Sequence, residues 1–257
     1  MALAALALGL VFLLLYGIGL GLIDRELQQS KTSLALLQQF YDFIVVAGMY
    51  VVHFLTIMLA IFASVDTVAG EITSHTIQTL VTKPVRRWQI IMGKWIGYAL
   101  MLIGYLCLLG GGMLLITYML VDYIPPDPLE GVLLLILEAL VLLSLSLLGG
   151  TRLSTLTNGV VLFMLYGLAF IGAWVEQIGS LLQSGAAIDV GIVTGLIMPV
   201  ETLWRRAAFV MQSPLSQSIP SPFSSPSIPS PAMTIYALIY MTVVLLLALR
   251  SFQTRDL

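Results

Sequence analysis

Long apolar runs separated by short polar breaks set the plan of this chain. A bilayer core about 30 Å thick is crossed by a helix of roughly 20 mostly apolar residues. Six runs reach or approach that length: Ala2–Ile23, Phe43–Val65, Ile90–Val121, Gly131–Gly150, Gly159–Val175 and Met233–Leu249. Inside lipid every backbone N–H and C=O must be satisfied within its own segment, so the runs predict helices and not open sheet. The expected fold is all-α, a polytopic membrane protein with six transmembrane helices in a single transmembrane domain over residues 1–257. The third run is longer than a bilayer requires. The first has no basic segment before it and no small-residue cleavage site after Leu22, so it reads as a retained helix and not as a signal peptide.

The polar breaks differ in character. Residues 66–89 are polar and basic, yet Val68, Ile72, Ile77, Leu80 and Val81 recur at near-helical spacing, with Glu71, Ser74, His75 and Gln78 on other faces. Thr82-Lys83-Pro84 ends that helix, because the residue before a proline is pushed out of the α region. Pro84 then opens a turn through Arg86, Arg87 and Trp88 into the third run. A short amphipathic helix fixed to a span at each end would move two transmembrane helices together when a partner pushes on it. The plainer reading is a positive loop that only sets topology. Residues 176–212 are moderately apolar and contain PVETLWRRAAF, which predicts an amphipathic helix in the outer interface with Trp204 at headgroup level. Residues 213–231, SPLSQSIPSPFSSPSIPSP, predict a flexible extended linker, since proline removes donors and serine offers no apolar surface.

Composition narrows the class. With 59% hydrophobic and 9% charged residues, against about 45–50% and about 25% in soluble domains, a soluble globular fold is excluded. The net charge of −2 and the lack of a basic patch with interleaved aromatics give no sign of a nucleic-acid partner. Membrane lipid is the expected surroundings. Lys and Arg in short loops orient a membrane protein. With a cytoplasmic N-terminus, Lys83, Arg86, Arg87, Lys94, Arg152, Arg250 and Arg255 lie inside, against Arg25, Lys31, Arg205 and Arg206 outside. Asp24, Glu26, Asp42, Asp122, Asp127, Glu130, Glu176, Asp189 and Glu201 fall outside in the same arrangement. Both termini are therefore expected to be cytoplasmic.

Few side chains offer chemistry. The one cysteine, Cys107, excludes a disulfide framework within the chain and reads as a small buried side chain of the third span. The twelve methionines are scattered, as core filler is, without the clusters a soft-metal path needs. Neither a metal site nor a bound cofactor is expected. Glu138 sits mid-way along the fourth run, where a charge costs about 2.5–3.5 kcal/mol on insertion scales. It is a candidate for the translocation path or a dimer interface, against the alternative of a neutral acid bonded to a neighbouring helix. His53 reads as a polar residue between helices, with Tyr50 and Thr56 as local partners. The Gly110–Gly112 triplet and Gly149-Gly150 suit close approach or bending.

The break EITSHTIQTLVTKPVRRWQIIMGKW also resembles the coupling region of the type-2 ABC exporter permeases, in Glu71, Ser74, Thr76, Leu80, Val81, Pro84, Arg86, Arg87, Gly93 and Lys94. The resemblance extends to six spans, a large outer segment before the last, and the closing RSFQTRDL. The PVETLWRRAAF stretch looks most like the subgroup that includes the permease of the nitrous-oxide-reductase maturation exporter. Two departures stand out: His75 occupies a position where the family often has glycine, and the basic elbow helix usual before the first span is not in this sequence. The resemblance implies the type-2 ABC exporter permease fold in a prokaryotic cytoplasmic membrane. It also implies a dimer with a second permease copy, identical or not, driven by a cytoplasmic ABC ATPase subunit that carries the ATP and magnesium. Glu71, Thr76, Pro84, Arg86 and Arg87 would couple to that subunit. The chain itself has no G-x-x-x-x-G-K-[ST] phosphate loop, so it is expected to be non-catalytic.

Three alternatives compete. A secondary transporter would need several intramembrane charges or broken helices near the midplane, and only Glu138 qualifies from sequence. An intramembrane hydrolase could draw on His53, Ser144 and Ser146, but without a G-x-S-x-G context. A non-transporting membrane anchor would use the same basic loop to recruit a soluble complex.

Overall fold

The structure, a computed structural model, describes residues 2–29, 33–65, 67, 70, 86–217 and 227–254. The regular structure among them is helical: α1 (Ala2–Gln29), α2 (Leu34–Ser64), α3 (Arg87–Leu106), α4 (Gly112–Val121), α5 (Pro128–Gly150), α6 (Thr155–Leu181), α7 (Gly185–Ile197), α8 (Val200–Val210), α9 (Pro214–Gln217) and α10 (Pro231–Gln253). Six helical rods are long and apolar enough to cross a membrane. They are α1, α2, the continuous α3–α4 rod from Arg87 to Val121, α5, α6 and α10. The six-span expectation holds, and the chain is a multi-pass membrane protein.

The helices overrun the apolar runs that predict them. Intrahelical hydrogen bonds do not stop where lipid does, so α1 continues to Gln29 and α2 begins at Leu34, ahead of Phe43. Beyond the lipid-length core the two are tied side to side. Tyr41 of α2 donates to Asp24 of α1 at 2.6 Å, and Gln28 bonds the same carboxylate one turn along α1 at 3.0–3.1 Å.

α5 is the central post, the most buried of the six spans, while α1 and α10 are the least enclosed and leave apolar faces for lipid. Its neighbours are fixed by polar bonds as well as by the apolar core. Trp95 of α3 donates Nε1–H to Ser144 at 3.0 Å, and Asn158 of α6 donates to the Ser146 carbonyl at 2.9 Å. Gly149 leaves the room that the Asn158 side chain occupies. α3 and α4 are joined by a π turn over Cys107–Gly111, which adds a residue to the local turn and re-phases the rod. Leu109 and Gly110 are thereby buried, whereas Cys107 is exposed. The sequence reading of Cys107 as a buried side chain is corrected: the re-phased turn points it outward.

The bundle has a basic end and an acidic end. At the basic end, Arg152 Nε bonds Ser251 at 2.9 Å, Thr151 bonds the same hydroxyl at 2.8 Å, and Arg87 reaches the Gln253 carbonyl at 3.4 Å. At the acidic end, buried Asp42 gathers donors from two segments, the turn after α4 and the start of α9. Tyr123 and Ser213 bond it through their hydroxyls, the Ser213 N–H at 3.1 Å and the Ser216 hydroxyl at 2.6 Å. Burial and the Asp42 carboxylate together push the Tyr123 phenol up.

The structure departs from expectation most in residues 176–217. In place of one helix on the outer surface there is a re-entrant hairpin, α7 and α8, bent by 106° at Met198–Pro199. Proline lacks an N–H and cannot continue α7, so the chain turns and restarts as α8. Trp204 is buried, 4% exposed, and not placed at headgroup level. The start of the Pro/Ser segment also differs from a flexible linker. Ser213 precedes proline at the first helical position, and the one-turn helix α9 is held by Asp42 through Ser213 and Ser216.

Candidate functional site

A helix broken inside a bundle leaves carbonyls without intrahelical partners. Here α10 supplies them. Tyr236 donates to the Leu196 carbonyl at 2.6 Å and Tyr240, one turn on, to the Ile197 carbonyl at 2.9 Å. α7 lies close along α6 because Gly172 and Gly191 carry no side chain. A Cβ at Gly172 would run into Thr194, and one at Gly191 into Glu176. At the mouth of the hairpin Arg205 pairs with Glu176 of α6 at 2.7 Å, and Arg206 with Glu130 of α5 at 2.8 Å. Ser227 adds a 2.6 Å bond to Glu176.

The first turn of α8 is thereby set deep in the bundle, and it carries Glu201. Opposite it stand His53 of α2 and Glu138 of α5. His53 Nδ1 lies 2.9 Å from Glu138 Oε1 and 3.0 Å from Oε2, bonding the latter, while Nε2 lies 4.0 Å from Glu201 Oε2. All three residues are buried. The imidazole is also enclosed by rings: Trp204 at 4.8 Å, Tyr50 at 5.7 Å and Tyr166 at 6.5 Å between centroids. Glu138 is the eleventh residue of the 23 in α5, about 15 Å from either helix end at 1.5 Å per residue. The cluster lies near mid-depth.

Sequence reasoning found two members and missed how they join. Glu138 and His53 were separate candidates; the structure brings them into contact. Thr56 is not a partner of His53, because its hydroxyl bonds back to the Val52 carbonyl. Glu201 was counted among the outer acids, since its neighbours Arg205 and Arg206 give the segment a surface composition. Pro199 was the signal available: a proline within a moderately apolar stretch marks a break. Of the serines a hydrolase would draw on, neither is hydrogen-bonded to His53 among the described residues, and the Ser146 hydroxyl is buried without a partner there. His53 faces two carboxyls, and Ser144 is engaged with Trp95 and the Leu140 carbonyl.

Of the proposed coupling residues, Glu71, Thr76 and Pro84 lie outside the described residues, as does nearly all of the amphipathic helix expected there. Arg86 and Arg87 open α3 at the basic end. Arg86 is exposed, and its N–H bonds Gln89 Oε1 at 3.0 Å. Lys94 donates to the Thr67 carbonyl at 2.6 Å, tying the segment after α2 to the start of α3.

A broken helix and several intramembrane ionisable groups are the features asked of a secondary transporter, and the structure has both. Sequence similarity decides between the classes. The family described as ABC-2 family transporter protein matches the chain over residues 1–257. The chain belongs to the ABC-2 transporter family. It is a membrane permease component, and the re-entrant hairpin and buried cluster are features of this chain. No curated protein is detectably similar to it in sequence.

Proposed function

We propose that this ABC-2 permease is the transmembrane subunit of an ATP-driven exporter, paired with a second permease copy and moved by a separate ABC ATPase. The full-length family match carries the reading. Two sequence features support the division of labour: the chain has no phosphate loop, and its basic residues are concentrated beside the coupling-like segment. In this reading the basic end faces the cytoplasm of a prokaryotic cell, and the chain has no catalytic role of its own. Glu71, Thr76, Pro84, Arg86 and Arg87 receive the ATPase. Motion passes to α2 and α3 together, a coupling that the Lys94–Thr67 bond supports. Glu138 lies beside the translocation path. The PVETLWRRAAF stretch favours the nitrous-oxide-reductase maturation subgroup.

The test is co-purification from membranes with the partners identified by mass spectrometry. A Walker-type ATPase is expected with the wild-type chain, and its recovery should fall severalfold in the Glu71→Ala/Arg86→Ala double variant while permease yield is unchanged. Undiminished recovery would remove the coupling assignment. Capture of a soluble complex without an ATPase would favour the membrane-anchor alternative.

A further inference from the structure

The Glu138–His53–Glu201 cluster has more ionisable groups than its surroundings can hold charged. We propose that it is a proton-binding site: with the hairpin seated it holds two protons at zero net charge, and opening of the hairpin toward the acidic end releases one. The argument begins with solvation. His53 Nε2, Glu138 Oε1 and Glu201 Oε2 are buried with no hydrogen-bond partner among the described residues. The gap beside His53 and Glu138, lined also by Thr56 and Leu135, is too narrow to admit a water-sized sphere. A desolvated ionised carboxylate without donors is costly enough that such groups neutralise instead.

Neutrality then fixes the proton count. Two ionised carboxylates and a neutral imidazole carry −2, so two protons bring the cluster to zero, wherever in the three groups they sit. Arg205, one turn along α8, is paired with Glu176 of α6. It acts on Glu201 and favours its charged form, but counted together with Glu176 it adds no net charge, so the proton count for neutrality is unchanged. Tyr50 of α2 and Tyr166 of α6, the other titratable side chains facing the cluster, are neutral phenols. When α8 withdraws, Glu201 reaches water and ionises as an ordinary carboxyl does near neutrality. Glu138 and His53 stay in contact and need one shared proton for neutrality. Seated, the cluster binds two protons; open, one.

By linkage, a state that binds one more proton is disfavoured about tenfold for each unit rise in pH. The hairpin is therefore closed by protons and loosened as they are withdrawn, with Glu201 as the titrating group and the Glu138–His53 pair as its neutral seat. The inference rests on the permease reading only in treating that opening as a step of transport. Its test uses neither ATP nor a partner, so failed ATPase capture and failed titration are separate outcomes.

The experiment uses the full chain in lipid nanodiscs with Cys107→Ser. Spin labels at Ile192 on α7 and Leu129 on α5 report the hairpin distance by pulsed electron paramagnetic resonance across a pH series. The ratio of seated to open hairpin should fall about tenfold per pH unit through the transition, and Glu201→Gln should stay seated with no pH dependence. A flat wild-type profile, or a Glu201→Gln profile as steep as wild type, would overturn the proposal. Infrared spectroscopy of the unlabelled wild-type chain needs no variant. It should show a buried protonated carboxyl band with the hairpin seated that loses intensity on opening, and its absence from the seated state would equally overturn the assignment.

Discussion

A buried carboxylate keeps its charge when its lone pairs are filled, and the acids of this permease divide on that criterion. Asp42 receives the Tyr123, Ser213 and Ser216 hydroxyls and the Ser213 N–H, enough donors to replace water around an anion. Glu176 is matched by Arg205 and Ser227. Glu138 and Glu201 flank the two nitrogens of His53, and one oxygen of each has no hydrogen-bond partner among the described residues. The first two acids hold structure together; the second two are short of partners. Removing the Asp42 anchor should therefore cost stability at a single point. Asp42→Ala strands the donors of two segments and is expected to lower stability by about 3 kcal/mol, given about 1.5–3 kcal/mol for each hydrogen bond to a charged group and partial rescue by water. Asp42→Asn, which keeps one acceptor oxygen, should fall between. Thermal unfolding of the purified chain in detergent measures both, and an alanine variant as stable as wild type would deny the anchor its role.

Among the elements, the hairpin is the one that simple hydrophobic periodicity does not find. The six spans were legible because a helix in lipid announces itself by length: each needs an unbroken apolar run, and each run is there. The hairpin needs none. α7 lies against α6 through glycine, α8 carries charges matched by partners on α5 and α6, and the break at Pro199 is satisfied by tyrosines from a helix more than thirty residues away. Its local composition therefore reads as surface, and the partners that make burial possible are distant in sequence. The same reasoning locates its weak points. Tyr236→Phe with Tyr240→Phe removes both donors to the carbonyls at the break, at about 1 kcal/mol for each neutral bond. Hydrogen–deuterium exchange at residues 198–203 should rise severalfold, with exchange in α5 unchanged. Gly172→Leu acts by bulk, since the space its side chain would need is filled by Thr194. It should displace α7 and expose the mouth of the hairpin to protease while leaving the six spans inserted. If α7 stays protected in the leucine variant, the close α6–α7 contact is not what seats it.

At the scale of the whole molecule, polarity along the bundle axis joins the fold to the proposed activity. One end is tied by arginines to the close of α10; the other carries Asp24, Asp42 and Glu130 and admits the hairpin. An ATPase needs the basic end in the cytoplasm, and protons drawn from outside the cell need the hairpin at the opposite face, so both proposals require one orientation. Seven of the eleven Lys and Arg residues favour it, a margin narrow enough that a direct measurement has force. In the Cys107→Ser chain, a cysteine placed at Asp127, before α5, should react with a membrane-impermeant maleimide on intact cells. A cysteine placed at Lys83 should react only after the membrane is opened. The reverse pattern would put the coupling segment out of reach of any cytoplasmic ATPase and turn the hairpin toward the cell interior. The permease would keep its fold and its family, but the direction of transport and the source of the protons would both have to be reassigned.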